Sequence, residues 1–215
     1  METTQQNLLL KGIGVSPGII IGKTFLFTSD DIEIPLITLC GKTEINREIE
    51  RFRQALEKSR ENLRAVKKEV ERKKQKEARY IIDAQLLIME DKLLVESIIK
   101  TIQERGIDAA SAVNETIRNL SRSFDDVSDE YLKERKTDFD YIGERIIRNI
   151  LGAKRHNLST IHEPSIIVAH DLSPADTANL DTSVIIGFVT NTGGKTSHTA
   201  IMARALELPS VVGLK

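Results

Sequence analysis

Within one short stretch, Thr192-Gly193-Gly194-Lys195-Thr196-Ser197-His198, the chain places a histidine, three hydroxyls, a cation and two adjacent glycines. The aliphatic run that follows, to about Leu206, predicts a helix from Ser197 onward. Two glycines let a backbone approach a ligand closely. Thr196 and Ser197 offer hydroxyls where a helix begins and its N–H groups lack partners. A helix N-terminus favours an anion, and phosphate suits it well. His198 falls in the first turn. The positive end of the helix dipole disfavours imidazolium, and a neutral ring keeps a nucleophilic lone pair. A phosphoryl group gained there would sit among helix N–H donors. Local chemistry leaves a second reading open, in which His198 only caps the helix. Arg204, nearly two turns on, has two readings as well: it neutralises phosphate, or it forms a surface ion pair.

These residues need strands and helices to hold them. From about Leu8 to Phe27 the chain reads as strands, because Gly12, Gly14, Pro17, Gly18 and Gly22 punctuate aliphatic runs such as Ile19-Ile20-Ile21. From Thr43 to Gly152 there is no proline, and the only glycines before the last are Gly106 and Gly143. Ile45, Ile49, Phe52, Leu56, Leu63, Val66 and Val70 recur at steps that mark one helical face, with Thr43 as N-cap. Further helices are predicted from about Ala78 to Met89 and from Lys92 to Gly106. A fourth is capped by Asp108, with Phe124 closing its inner face, and a fifth by Asp129. The charge-rich segment Lys67–Lys76 reads as a solvated hairpin tip.

Beyond Gly152, Ser165–Val168 and Ser183–Val189 read as buried strands. Pro174 opens a short helix, and Ser210–Val212 forms a last strand. Neither β-rich end has many strands, so the two are expected to share one sheet. The helical block is then an insertion into an α/β domain.

The 215 residues are 40% hydrophobic and 29% charged, enough to bury a core. Aromatics are 4% and tryptophan is absent, so that core is aliphatic. Lys and Arg total 31 against 32 Asp and Glu, which argues against nucleic-acid binding. The one cysteine, Cys40, cannot form an internal disulfide and has no basic neighbours to activate it. No segment reads as a signal peptide or reaches the ~20 apolar residues of a membrane span. A cytoplasmic protein without membrane insertion is expected. His156, His162 and His170 read as structural or surface residues.

The stretch from Gly193 through Arg204 to Gly213 resembles the phosphohistidine signature of Enzyme I, the phosphoenolpyruvate-protein phosphotransferase of the bacterial sugar phosphotransferase system. Gly12-Ile13-Gly14-Val15-Ser16-Pro17-Gly18, Asp129–Arg135, Gly143–Gly152 and Asp171-Leu172-Ser173-Pro174-Ala175-Asp176-Thr177 resemble the same family in register. The resemblance implies an α+β fold: an α/β phosphohistidine (swivelling) domain, residues 1–35 and 153–215, with an inserted helical carrier-binding subdomain, residues 43–152. It implies that His198 takes phosphate on Nε2 and passes it to the histidine of the carrier HPr. Thr177 matches the hydroxyl residue that bonds the other ring nitrogen, fixing the tautomer. Gly193, Gly194, Lys195, Thr196, Ser197 and Arg204 would support the phosphate. The carrier surface maps onto Glu77, Ile81, Asp83, Leu87, Ile88, Leu94, Leu132 and Arg135. The apolar members have burial in a helical core as the competing reading, whereas Glu77 and Asp83 would steer a basic carrier.

Lys76, Lys92 and Gln85 depart from the acidic, acidic and histidine residues of well-studied members, and Lys195 replaces the usual arginine. A complete Enzyme I is longer. The resemblance places phosphoenolpyruvate, magnesium and the homodimer contact in a C-terminal barrel, so this chain is expected to be a monomeric N-terminal fragment without a cofactor. Two rivals remain: the phosphohistidine domain of a dikinase-like enzyme, and a carrier-binding regulatory module without chemistry.

Overall fold

The computed structural model describes residues 8–28, 32–123, 130–153 and 158–215, less the side chains of 130–135 and 159. The chain forms two compact units, Met1–Ser29 with Asn157–Lys215, and Asp30–His156. It is an α/β domain built from both chain ends, with an all-helical insertion.

The α/β unit holds five strands, β1 (Ile13–Ser16), β2 (Lys23–Phe27), β3 (Ser165–Ala169), β4 (Ile185–Thr190) and β5 (Ser210–Val212). Their order is β1-β5-β4-β3-β2. β1 runs antiparallel to β5, and the other pairs are parallel. Parallel neighbours need crossover connections. Residues 30–156 supply the one from β2 to β3. One helix follows β3 and another follows β4, and these carry the site. Phe27, Ile167, Phe188, Ala203 and Val212 share the core of this unit.

The run Ile19-Ile20-Ile21 is not a strand. It lies in the irregular segment between β1 and β2, after Gly18 at φ 138°. Ile19 and Ile21 are exposed, while Ile20 fills the space over Gly187, where a Cβ would meet its Cδ1 at 2.3 Å.

The helical unit holds α1 (Lys42–Arg72), α2 (Lys76–Glu90), α3 (Lys92–Arg105), α4 (Ala109–Arg122) and α5 (Glu130–Leu151). Of the apolar face predicted on α1, Ile49, Phe52, Leu56, Leu63, Val66 and Val70 are buried and Ile45 is half-buried. The N-cap of α1 is Gly41, not Thr43, which lies inside the first turn. The Glu44 carboxylate accepts from the Cys40 N–H, one residue before that cap. Asp108 caps α4 by accepting from the N–H groups of Ala110 and Ser111 at 3.0 and 3.1 Å. Gly106 ends α3 in the left-handed conformation. Gly143 is a glycine inside a helix because α4 and α5 pack closely: a Cβ there would sit 3.0 Å from Ile117. Asp129 and Phe124 lie outside the described residues.

Two polar groups, the buried Glu48 and the half-exposed Arg51, link the helix ends of this unit. Glu48 accepts from Ala109 N–H at 2.9 Å, and its carboxylate meets Arg51 at 3.3 Å. Arg51 then donates to the carbonyl of Ile150 at 2.9 Å. A carboxylate thus faces the start of α4 and a cation faces the end of α5, which is the favourable sense for both dipoles. Among the described residues no helix is long and apolar enough to cross a membrane.

Candidate phosphohistidine site

The two loops leaving the carboxyl ends of β3 and β4 lie side by side, because these strands are neighbours. In open α/β sheets this end is where ligands bind. Backbone bonds continue the pairing past the strands: Asn191 N–H donates to Ala169 O at 3.2 Å and Thr192 N–H to His170 O at 3.0 Å. The Thr192 hydroxyl donates to the same His170 carbonyl at 3.2 Å. The loop after β4 is therefore anchored at its root before the glycines begin.

Gly193 adopts φ 101°, a region that side chains rarely enter. A tight turn follows, in which Ser197 N–H donates to Gly194 O at 3.2 Å. The Ser197 hydroxyl donates to the same carbonyl at 2.9 Å and accepts from Ala200 N–H at 3.2 Å. Ser197 is thus the N-cap of α7 (His198–Ala205), and His198 is its first residue. His198 is half-buried, Lys195 and Thr196 are exposed, and Thr199, Ala200, Met202 and Ala203 are buried. The helix seats itself by its apolar side and leaves its N-terminal residue at the protein surface.

The loop after β3 leads into α6 (Pro174–Ala178), whose cap is reciprocal. Asp176 N–H donates to Ser173 Oγ at 3.2 Å, and Ser173 N–H donates to Asp176 Oδ2 at 3.1 Å. The Ser173-x-x-Asp176 spacing in the sequence carried this signal. α6 packs against α7, and Thr199 Oγ1 donates to Leu172 O at 3.1 Å. No sequence pattern announces that bond.

Thr177 is fully buried on α6. Its hydroxyl hydrogen is shared between the carbonyls of Ser173 and Pro174, at 3.1 and 3.0 Å. As a donor Thr177 serves its own helix and not a ring nitrogen. What its oxygen still offers is acceptance. Arg204 Nη1 donates to the Lys195 carbonyl at 3.1 Å.

The residues mapped to a carrier surface separate in the structure. Glu77 is exposed in the first turn of α2, and Leu87 is 68% exposed on the same helix. Tyr80, seven residues before Leu87 and 72% exposed, shares that face. Ile88 is half-buried. Asp83 is paired with Lys67 and Arg79 at 2.5 and 3.5 Å. Ile81 and Leu94 are 8% and 6% exposed. Both lie on the inner faces of their helices and belong to the core. Leu132 and Arg135 lie in the first turns of α5, outside the described side chains. Lys76 and Lys92 are exposed, whereas Gln85 is buried and donates to Asp138 at 3.3 Å. Among the described residues no cluster of three His, Cys, Asp or Glu side chains suits a metal ion.

Comparison with known proteins places this geometry. Residues 11–135 match the family described as PEP-utilising enzyme, N-terminal, and residues 161–215 match the PEP-utilising enzyme, mobile domain. The phosphoenolpyruvate-protein phosphotransferase of Staphylococcus epidermidis is 37% identical over 207 residues, 96% of this chain and 36% of that protein. The protein of that name from Listeria monocytogenes is 37% identical over 206 residues, again 96% and 36%. The chain thus spans about a third of the length of these relatives. The solution structure of an Enzyme I protein (nEIt) matches with a TM-score of 0.77 and 41% identity, over 95% of this chain and 82% of that one. The N-terminal domain of a nitrogen-type Enzyme I matches with a TM-score of 0.63 and 26% identity, over 96% and 84%. The chain therefore belongs to the phosphoenolpyruvate-utilising enzymes, and what it matches among them is the N-terminal part of Enzyme I.

Proposed function

We propose that His198 of this chain accepts a phosphoryl group, supplied by phosphoenolpyruvate in a full-length enzyme, and passes it to the histidine of the carrier protein HPr. The observation that carries the reading is the placement of His198 as the first residue of α7, after a Ser197 cap and a Gly-Gly turn. Helix N–H groups and the helix dipole there favour the phosphoryl oxygens of the product.

In the first step Nε2 of neutral His198 attacks phosphorus. A P–N bond forms, and the bond from phosphorus to the enol oxygen of phosphoenolpyruvate breaks. In the second step the P–N bond to His198 breaks as the carrier's imidazole attacks. Thr177 then has a defined part. Its hydrogen is committed to backbone carbonyls, so toward the ring it acts as acceptor of Nδ1–H. A proton held at Nδ1 leaves the lone pair on Nε2, the nitrogen that must attack. Gly193, Gly194, Lys195, Thr196 and Ser197 shape the pocket for the phosphoryl oxygens.

Phosphoenolpyruvate and the magnesium ion it requires belong, in this reading, to the part of the longer relatives that the chain does not match. The same holds, in this reading, for the homodimer contact. The carrier docks on the exposed face of α2, with Leu87 and Tyr80 as apolar contacts and Glu77 as the steering charge. Location in the cytoplasm accords with this role. The test is phosphorus–nitrogen coupling in the phosphorylated, nitrogen-15-labelled chain. Coupling to Nε2 of His198 is expected. Coupling to Nδ1, or a label on another histidine, would overturn the assignment.

A further inference from the structure

We propose that Arg204 is a positioning residue for the phosphoryl step, acting through the backbone carbonyl of Lys195. The inference rests on the relay reading of His198, but its geometry stands apart from it.

The turn Gly194–Ser197 must keep one shape if His198 is to present its ring in one place. Its composition works against that. Gly193 and Gly194 are the freest residues a backbone can have, and Lys195 and Thr196 are exposed. From inside, Ser197 closes the turn with two bonds to Gly194 O. The carbonyl of Lys195 lies outside that closure, and Arg204 is its partner. Long side chains on a helix lean toward its N-terminus. Arg204, in the last turn of α7, thereby reaches back along the helix to the turn that precedes it. Its seat on α7 is firm, because the neighbouring Met202 and Ala203 are fully buried. The exposed guanidinium is thus a strut between the last turn of the helix, held by Met202 and Ala203, and the exposed turn before it. It spends one N–H of five on the carbonyl and brings its charge to the end of α7 where the phosphoryl group is received.

The test uses this chain with Arg204→Met, which keeps the aliphatic stem and removes every donor, and Arg204→Lys, which keeps one donor. Two quantities are read: the rate of phosphoryl uptake from phosphorylated HPr, and amide exchange at Ser197. Arg204→Met is expected to slow uptake at saturating carrier roughly tenfold, leave the half-saturating carrier concentration unchanged, and speed exchange at Ser197. Arg204→Lys should recover part of both. Unchanged exchange in Arg204→Met would overturn the proposal, as would a lysine variant that restores uptake while exchange stays fast, since charge alone would then be the cause. If the parent chain takes up no phosphoryl group, the relay reading fails, and the exchange measurement still decides the strut.

Discussion

Thr199 donates its hydroxyl hydrogen to the carbonyl of Leu172 over 3.1 Å, and so joins the helix that carries His198 to the loop that leads into the helix of Thr177. The bond is buried, and Thr199 is 2% exposed. It bridges two elements whose relative placement sets the distance between ring and hydroxyl. Thr199→Val keeps the shape and leaves a buried carbonyl without its partner. Equilibrium urea unfolding should show a loss of about 1–3 kcal/mol. A loss below about 0.5 kcal/mol would mean that the bond has no structural weight.

Gly193→Ala should weaken the turn itself. The backbone there sits at φ 101°, and the new Cβ would lie 3.1 Å from Ser197 Oγ and 3.3 Å from Val212 Cβ. Strain of this kind costs about 1–3 kcal/mol. Thermal unfolding should report a lower Tm, and phosphoryl uptake should fall with it. Wild-type Tm and uptake together would show that the left-handed conformation is dispensable.

In the helical unit, Glu48→Ala removes a carboxylate that serves both Ala109 N–H and Arg51. Two groups lose a partner at once, so a loss of about 2–4 kcal/mol is expected in urea unfolding. Glu48→Gln keeps an acceptor for Ala109 and should lose less. Equal losses would show that the charge, not the cap, carries the effect.

One carboxylate sets an acid-side prediction. Arg60 donates a hydrogen bond to Glu57 and holds its carboxyl below the usual glutamate range; partial desolvation opposes this, and Arg64 adds a second donor. A carboxyl depressed in the folded state contributes stability above its unfolded value, near 4.5, and loses it as pH falls through the folded value. Glu57 is half exposed, so the contribution is small. Glu57→Gln should therefore flatten, slightly, the fall of Tm below about pH 4.5. Parallel curves for the two proteins would contradict this.

Much of this architecture was legible in the chain. The apolar steps on α1, the Asp108 cap and the Gly106 stop are local signals, and local signals survive folding. The shared sheet followed from the shortage of strands at each end. What escaped was set by contacts distant in sequence. Ile19-Ile20-Ile21 has strand composition, but only Ile20 finds a partner, over Gly187. Ile81 and Leu94 lie on helices where sequence alone does not separate a core face from a docking face. At the site, His198 and its cap could be read from the turn and helix signals. The direction of the Thr177 hydroxyl and the reach of Arg204 to Lys195 could not, because both depend on where a side chain points.

The central claim is that His198 is the phosphoryl acceptor. Intact-mass spectrometry after mixing with phosphorylated HPr tests it most directly, with the His198→Ala chain alongside and phosphoenolpyruvate plus magnesium as a separate arm. The account predicts an acid-labile gain of one phosphoryl group from phosphorylated HPr, none in His198→Ala, and none from phosphoenolpyruvate alone. No gain from the carrier, or an equal gain in the alanine variant, would contradict it.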